Sequence, residues 1–195
     1  MKGEKVVVIL GIDPGFARLG YGVIDYTNGK YKVLEYGTIS TPAHTQLAER
    51  LKKINYDLNE VISKYKIDVA SIEDLFFNTN TKTAIHVAEA RGVILYTLAS
   101  HNIQIFEYTP LQVKQALVGY GRADKHQVME MVKKNLRLKT MPKLDDTADA
   151  LAIAICHTYN CKYDKLTGAT GKTKLELIIK EYEEKDKVKT KVKRK

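Results

Sequence analysis

The sequence predicts an α/β domain built on a mixed five-stranded sheet, with three antiparallel hairpin strands, then two parallel ones, and helices on its faces. Two observations carry this. Three β-rich runs, Val6–Asp13, Gly20–Tyr26 and Lys30–Ser40, follow one another with only turns between them. Single strand-like runs then alternate with long helical patterns, an order that makes the later strands parallel.

Each element has its local reason. Pro14-Gly15 turns the chain after the first strand, and Asn28-Gly29 between β-rich runs is a strong hairpin signal. Pro42 breaks the third strand. Leu47, Leu51, Ile54, Leu58, Val61 and Ile62 recur at helical spacing, predicting an amphipathic helix over roughly 44–65. Ile67–Ile72 is a fourth strand ending at Glu73-Asp74, Thr81–Ser100 a second helix, and Ile103–Phe106 a fifth strand. After Pro110 the chain reads as helical: Leu111–Val118, then Lys125–Leu136 with Asp124 as its cap, then about Asp145–His157. The helix Thr81–Ser100 is apolar on more than one face, as a buried central helix would be.

The expected organisation is one domain over 1–166 and a lysine-rich tail over 167–195 that is flexible or partly helical. Of 195 residues 44% are hydrophobic, enough for a full core. No apolar run approaches the ~20 residues that span a bilayer, and the N-terminus lacks a signal-peptide pattern. Cys156 and Cys161 are too few for a disulfide scaffold, and with His157 they lack a fourth ligand and a familiar zinc spacing. Reduced thiols in a cytoplasmic protein are the simpler expectation. The net charge is +9, and residues 171–195 carry ten Lys/Arg against five Asp/Glu. The rest of the chain is therefore basic too, which favours a polyanionic partner, most simply nucleic acid.

Four acids stand out against that basic background. Asp13 and Glu73 each end an apolar strand, in "VILGID" and "ASIED". Asp146 and Asp149 are three apart near a helix start, so they share one face. Singly, each has an ordinary explanation: an Asx-turn for Asp13, a surface position for Glu73, a cap or dipole effect for the helix acids. Together they suggest one site, because ligands gather at strand carboxyl ends in such sheets. Clustered carboxylates repel and raise each other's pKa, and a divalent cation removes that cost. Hard oxygen donors select Mg²⁺ or Mn²⁺ over zinc. On a basic protein this points to metal-assisted phosphodiester hydrolysis, in which two ions about 4 Å apart clamp the attacking and leaving oxygens.

The segments "GIDPGFARLGYGVID", "SIEDLFF", "AEARGVIL", "FEYTPLQVKQALVGYGRADKHQV" and "DDTADALAIAICH" closely resemble the RuvC family of bacterial Holliday junction endonucleases. They cover about Leu10 to His157, in order. The resemblance implies a ribonuclease H-like fold and a homodimer with two active sites on a four-way DNA junction. It implies symmetric nicking of two opposed strands, leaving 5′-phosphate and 3′-hydroxyl ends, and service to the branch-migration complex RuvA–RuvB. It makes Asp13, Glu73, Asp146 and Asp149 the catalytic Mg²⁺ ligands, for two ions in each site. Some family members have His at the position of Asp146, and Asp145 is the near alternative, about 100° away around the helix.

The resemblance also implies DNA contacts. Phe76 falls where the family stacks an aromatic on a base, an interaction worth roughly 1–3 kcal/mol; the adjacent Phe77 leaves open which ring stacks and which joins the core. Lys114 and Lys125 match basic residues beside the site, and Arg122 is a further phosphate-contact candidate on the loop before Asp124. The N-terminal half of Thr81–Ser100 would be a dimer contact. The tail departs from the family pattern and is expected to tether DNA without sequence preference. Three other readings compete. An actin- or sugar-kinase-like ATPase needs a second phosphate loop that does not appear, and Phe16 follows Gly15 where a hydroxyl residue is usual. A junction-binding module without catalysis would have no need of all four acids. A related nuclease with another substrate is set aside only by the whole-body match.

Overall fold

The computed structural model describes residues 7–74, 81–140, 142 and 144–167. The expected stacking ring Phe76, its neighbour Phe77 and the lysine-rich tail beyond Thr167 lie outside the described residues. The unit Met1–Tyr159 holds the whole sheet.

The strands are β1 (Val7–Asp13), β2 (Arg18–Thr27), β3 (Lys30–Ser40), β4 (Val69–Glu73) and β5 (Gln104–Tyr108). The helices are α1 (Leu47–Lys64), α2 (Thr81–Ser100), α3 (Pro110–Val118), α4 (Lys125–Leu136) and α5 (Asp145–Thr167). The sheet order is β3-β2-β1-β4-β5; β1–β2 and β2–β3 are antiparallel, while β1–β4 and β4–β5 are parallel. The β2–β3 turn has positive φ at both Asn28 (52°) and Gly29 (83°), the left-handed pair that matches strand twist in a two-residue hairpin. Asp124 caps α4 in a reciprocal capping box with Gln127, and Thr109 does the same for α3 with Gln112.

The alternation of β1 sends side chains to two different cores. Leu10 and Ile12 join Val23, Ile54, Leu58, Ile72 and Ile94 beneath α1 and α2. Ile9 faces the other way, with Ile24, Val113, Val132, Leu151 and Ile155, beneath α3, α4 and α5. The larger differences from the sequence reading are at ends. β4 starts later, at Val69; β5 extends to Tyr108; α5 continues past His157 to Thr167. The β5 extension follows from pairing, since Tyr108 stands opposite Glu73 and its carbonyl accepts the Asp74 N–H at 2.9 Å.

His157 and Cys156 are core residues. His157 shares a 2.8 Å hydrogen bond between Nδ1 and the Tyr108 hydroxyl and packs on Phe106, with ring centroids 4.4 Å apart. Burial pushes its pKa down to about 4, so the ring is neutral at physiological pH. Among the described residues no helix is long and apolar enough to cross a membrane.

Candidate active site

α5 reaches the acids of the sheet because the sheet makes room for it. A Cβ at Gly11 would collide with the Ala150 carbonyl oxygen, and one at Gly20 with the Asp146 carbonyl oxygen. A Cβ at Gly22 would meet the Leu151 side chain at 2.6 Å. Glycines on β1 and β2 thus form a floor, and Asp146, Ala150 and Ala154 of α5, four residues apart, lie along it. Gly11 pairs with Gly22 and Asp13 pairs with Gly20, so the helix backbone at Asp146 rests beside Asp13. β4 runs parallel to β1, Ile72 opposite Ile12, which brings Glu73 to the same end of the sheet. Neither the glycine floor nor the small face of α5 enters the sequence reading. The signal was there, as alternating glycines in "GYG" and alanines four apart in "ADALAIA".

The electrostatics show that the four acids share one environment. Burial pushes Asp13 up to about 7, and Glu73, Asp149 and Asp146 add to the rise, while Lys125 opposes it. Burial and then Asp149 push Glu73 up, again against Lys125. Asp149 also rises, because burial outweighs its hydrogen bond to Lys125. Asp13, Glu73 and Asp149 are thus poor hosts for an uncompensated charge, which a bound divalent cation would offset.

Two cations of the protein stand among the acids. Lys125 Nζ, at the first position of α4, lies 3.1 Å from both Asp149 and Asp145. Its hydrogen bonds to these two carboxylates raise its own pKa despite partial burial. Arg18 Nε, at the first position of β2, lies 3.1 Å from Asp146 Oδ2. Arg18 is a site residue that the sequence reading misses; it lies inside "GFARLG" with no pattern to distinguish it from a solvated turn arginine. Asp145 is the most exposed of the helix acids and faces Lys125.

The remaining expected residues are dispersed. Lys114 is half-buried on α3, and Arg122 is exposed in the α3–α4 loop; neither forms an ion pair with a described acid. Among the described residues no group of three or more His, Cys, Asp or Glu side chains stands close enough to hold a metal ion. Arg18 instead contacts Asp146, and Lys125 contacts Asp149 and Asp145. The donor chemistry still fits a hard divalent cation: four carboxylates, with the innermost disfavouring its own charge.

The sequence model of the family described as crossover junction endodeoxyribonuclease RuvC matches residues 9–157. The chain is 55% identical over 160 residues to the crossover junction endodeoxyribonuclease RuvC of Alkaliphilus oremlandii, covering 82% of this chain and 98% of that protein. To the corresponding protein of Clostridioides difficile it is 52% identical over 159 residues, covering 82% and 94%. Among solved structures it superposes on Thermus thermophilus RuvC in complex with Holliday junction substrate with a TM-score of 0.77 and 34% identity, covering 80% of this chain and 96% of that one. The yeast mitochondrial Holliday junction resolvase Ydc2, 14% identical at a TM-score of 0.57, shares the fold, which is ribonuclease H-like. With the family model spanning most of the sheet and helices, and relatives more than half identical over nearly their whole length, the chain belongs to the RuvC family of crossover junction endodeoxyribonucleases.

Proposed function

We propose that the protein resolves four-way DNA junctions by metal-dependent phosphodiester hydrolysis. The observation that carries this reading is the coupling of Asp13, Glu73, Asp146 and Asp149 at one end of the sheet in a basic protein. Asp13 and Glu73 would hold Mg²⁺, or Mn²⁺, from adjacent parallel strands, and Asp146 and Asp149 would complete the donor set from α5. Two such ions would supply activation of the attacking water and stabilisation of the leaving 3′-oxygen.

The chain's own residues prepare that chemistry. Burial keeps Asp13 a poor host for an uncompensated charge and thus selective for a multivalent cation. Lys125 holds Asp149 in the metal-free state and is placed to take a phosphate oxygen. Water adds to phosphorus, the bond to the 3′-oxygen breaks, and a 5′-phosphate and a 3′-hydroxyl remain. Lys114, Arg122 and Phe76 are proposed DNA contacts by family resemblance, Phe76 at the junction centre.

Paired nicking requires two sites, and a homodimer provides them. The outer side of α2 suits self-association: Ile85 and Tyr96 are 61% and 71% exposed, and a Cβ at Gly92 would meet nothing within 4 Å. Cytoplasmic action with a RuvA–RuvB branch-migration complex follows the same family reading. The test is a labelled mobile four-way junction incubated with the protein in Mg²⁺ and in EDTA. Paired symmetric nicks in Mg²⁺ alone are expected; binding without nicks, over a range of junction sequences, would reduce the protein to a binding module.

A further inference from the structure

Among the described residues Arg18 is the one basic residue whose side chain contacts the four acids from the sheet itself. Its backbone is fixed on several sides. It pairs with Ser40 across β2–β3, the preceding Ala17 carbonyl accepts the Thr41 N–H at 3.0 Å, and the Gly15 turn folds closely onto the Arg18 carbonyl. Its root is therefore part of the same turn that presents Asp13. The side chain is half in solvent, 54% exposed, while Asp146 is 27% exposed.

The pair is asymmetric. Asp146 Oδ2 is sealed from solvent and receives no well-directed hydrogen bond, although Arg18 Nε stands 3.1 Å away. The contact is charge against charge, without the aligned fork that makes arginine–carboxylate pairs strong. Arg18 touches Asp146 through Nε, and its guanidinium makes no well-directed hydrogen bond with that carboxylate oxygen. A planar guanidinium at the wet rim of a site read as hydrolysing phosphodiesters matches the geometry of a phosphate.

We propose that Arg18 is a phosphate-contact residue for the DNA strand at the site, parked on Asp146 while the site lacks metal and DNA. In the parked position its charge competes with a divalent cation for Asp146. When released, its N–H groups engage a backbone phosphate, so that cation and strand enter together. This inference rests on the metal-dependent nuclease reading above and adds a residue that the acids alone do not imply.

The test uses the full chain with Arg18→Gln and Arg18→Lys, both checked for an unchanged melting temperature. Two quantities are read without catalysis: the salt dependence of four-way junction binding in EDTA, and the affinity for Mn²⁺ alone by electron paramagnetic resonance. Arg18→Gln is expected to reduce the salt slope by about one phosphate contact. It is also expected to tighten Mn²⁺ binding, by up to about fivefold for a half-exposed pair. Arg18→Lys keeps the charge and is expected to resemble wild type in both. An unchanged slope, or Mn²⁺ affinity that stays level or weakens, overturns the inference. If the wild-type protein neither binds Mn²⁺ nor nicks junctions in Mg²⁺, the nuclease reading itself fails. If it does both and Arg18→Gln matches it, only the role of Arg18 fails.

Discussion

The two faces of β1 are built on opposite principles. Toward α1 and α2 it presents Leu10 and Ile12, both fully buried, in a layer of large branched side chains. Toward α5 it presents Ile9, Gly11 and Asp13, so apolar bulk gives way to a gap and then a charge within three alternate positions. The first face is filled because nothing has to approach the backbone. The second is hollow because a helix has to. One strand thus separates stability from chemistry by the two-residue period of its side chains.

The largest break in that comparison is at Asp13. Asp13→Asn keeps the shape and removes the charge that the proposed divalent cation would need. Cleavage of a four-way junction in Mg²⁺ is expected to fall by about a thousandfold or more, since metal assistance is worth several kcal/mol and each 1.36 kcal/mol is tenfold. Junction binding in EDTA should persist. Cleavage near the wild-type rate would remove Asp13 from the site.

Next come paired substitutions on the two faces. Leu10→Ala empties a fully buried position and is expected to cost 2–5 kcal/mol, at about the usual range for such truncations. The rate per folded molecule should survive, because no acid moves. Gly20→Ala drives a methyl group into the Asp146 carbonyl. It is expected to cost about 1–3 kcal/mol by overpacking and to lower cleavage further than its stability loss explains. Denaturant melts with cleavage rates measured on the same samples read both. If Gly20→Ala lost stability and kept full activity, the glycine floor would be packing alone.

These residues also show what could be read from the sequence. The hairpins, the sheet composition and most helix boundaries follow from local signals: Asn28-Gly29, Asp124 before Gln127, and the periodic leucines and isoleucines of α1. The acids stood out for two reasons: Asp13 and Glu73 each end an apolar run, and Asp146 and Asp149 are three apart near a helix start. Arg18 did not, because an arginine in a turn is ordinary until a helix more than a hundred residues further along sets Asp146 against it. The glycine floor was hidden for a related reason: Gly11, Gly20 and Gly22 gain their meaning from contacts with residues 146–154. The full length of β5 depended on Tyr108 finding Glu73. In each case the missing information was a pairing between distant segments, and no local pattern carries that.

A smaller effect is the pH dependence of the metal-free protein. Asp13 titrates near 7 when folded and near 3.8 when unfolded. The folded state thus binds the proton more tightly. Its contribution to stability is present in full below pH 3.8 and is lost as pH rises through 7. Over that window the loss is at most about 1.4 kcal/mol per pH unit, and solvent access reduces it. Thermal melting in EDTA is expected to show a lower Tm at pH 8 than at pH 5.5, Mg²⁺ should reduce the difference, and Asp13→Asn should flatten it. An equal slope in wild type and Asp13→Asn would show that some other group sets the pH dependence.

The smallest expected effect on stability sharpens the contrast most. Lys125 bridges Asp145 and Asp149 at 3.1 Å, yet its side chain is half exposed, so the bridges contribute no more than about 1 kcal/mol. Lys125→Gln should therefore leave the denaturant midpoint almost where it was. It should nonetheless weaken junction binding in EDTA and reduce the salt slope by about one, as expected for a lost phosphate contact. Leu10→Ala is the opposite variant, lowering stability while sparing the site. If Lys125→Gln instead destabilised the fold by several kcal/mol with an unchanged salt slope, Lys125 would serve to hold α4 against α5. The basic residue would then belong with the filled face of β1 rather than with the hollow one.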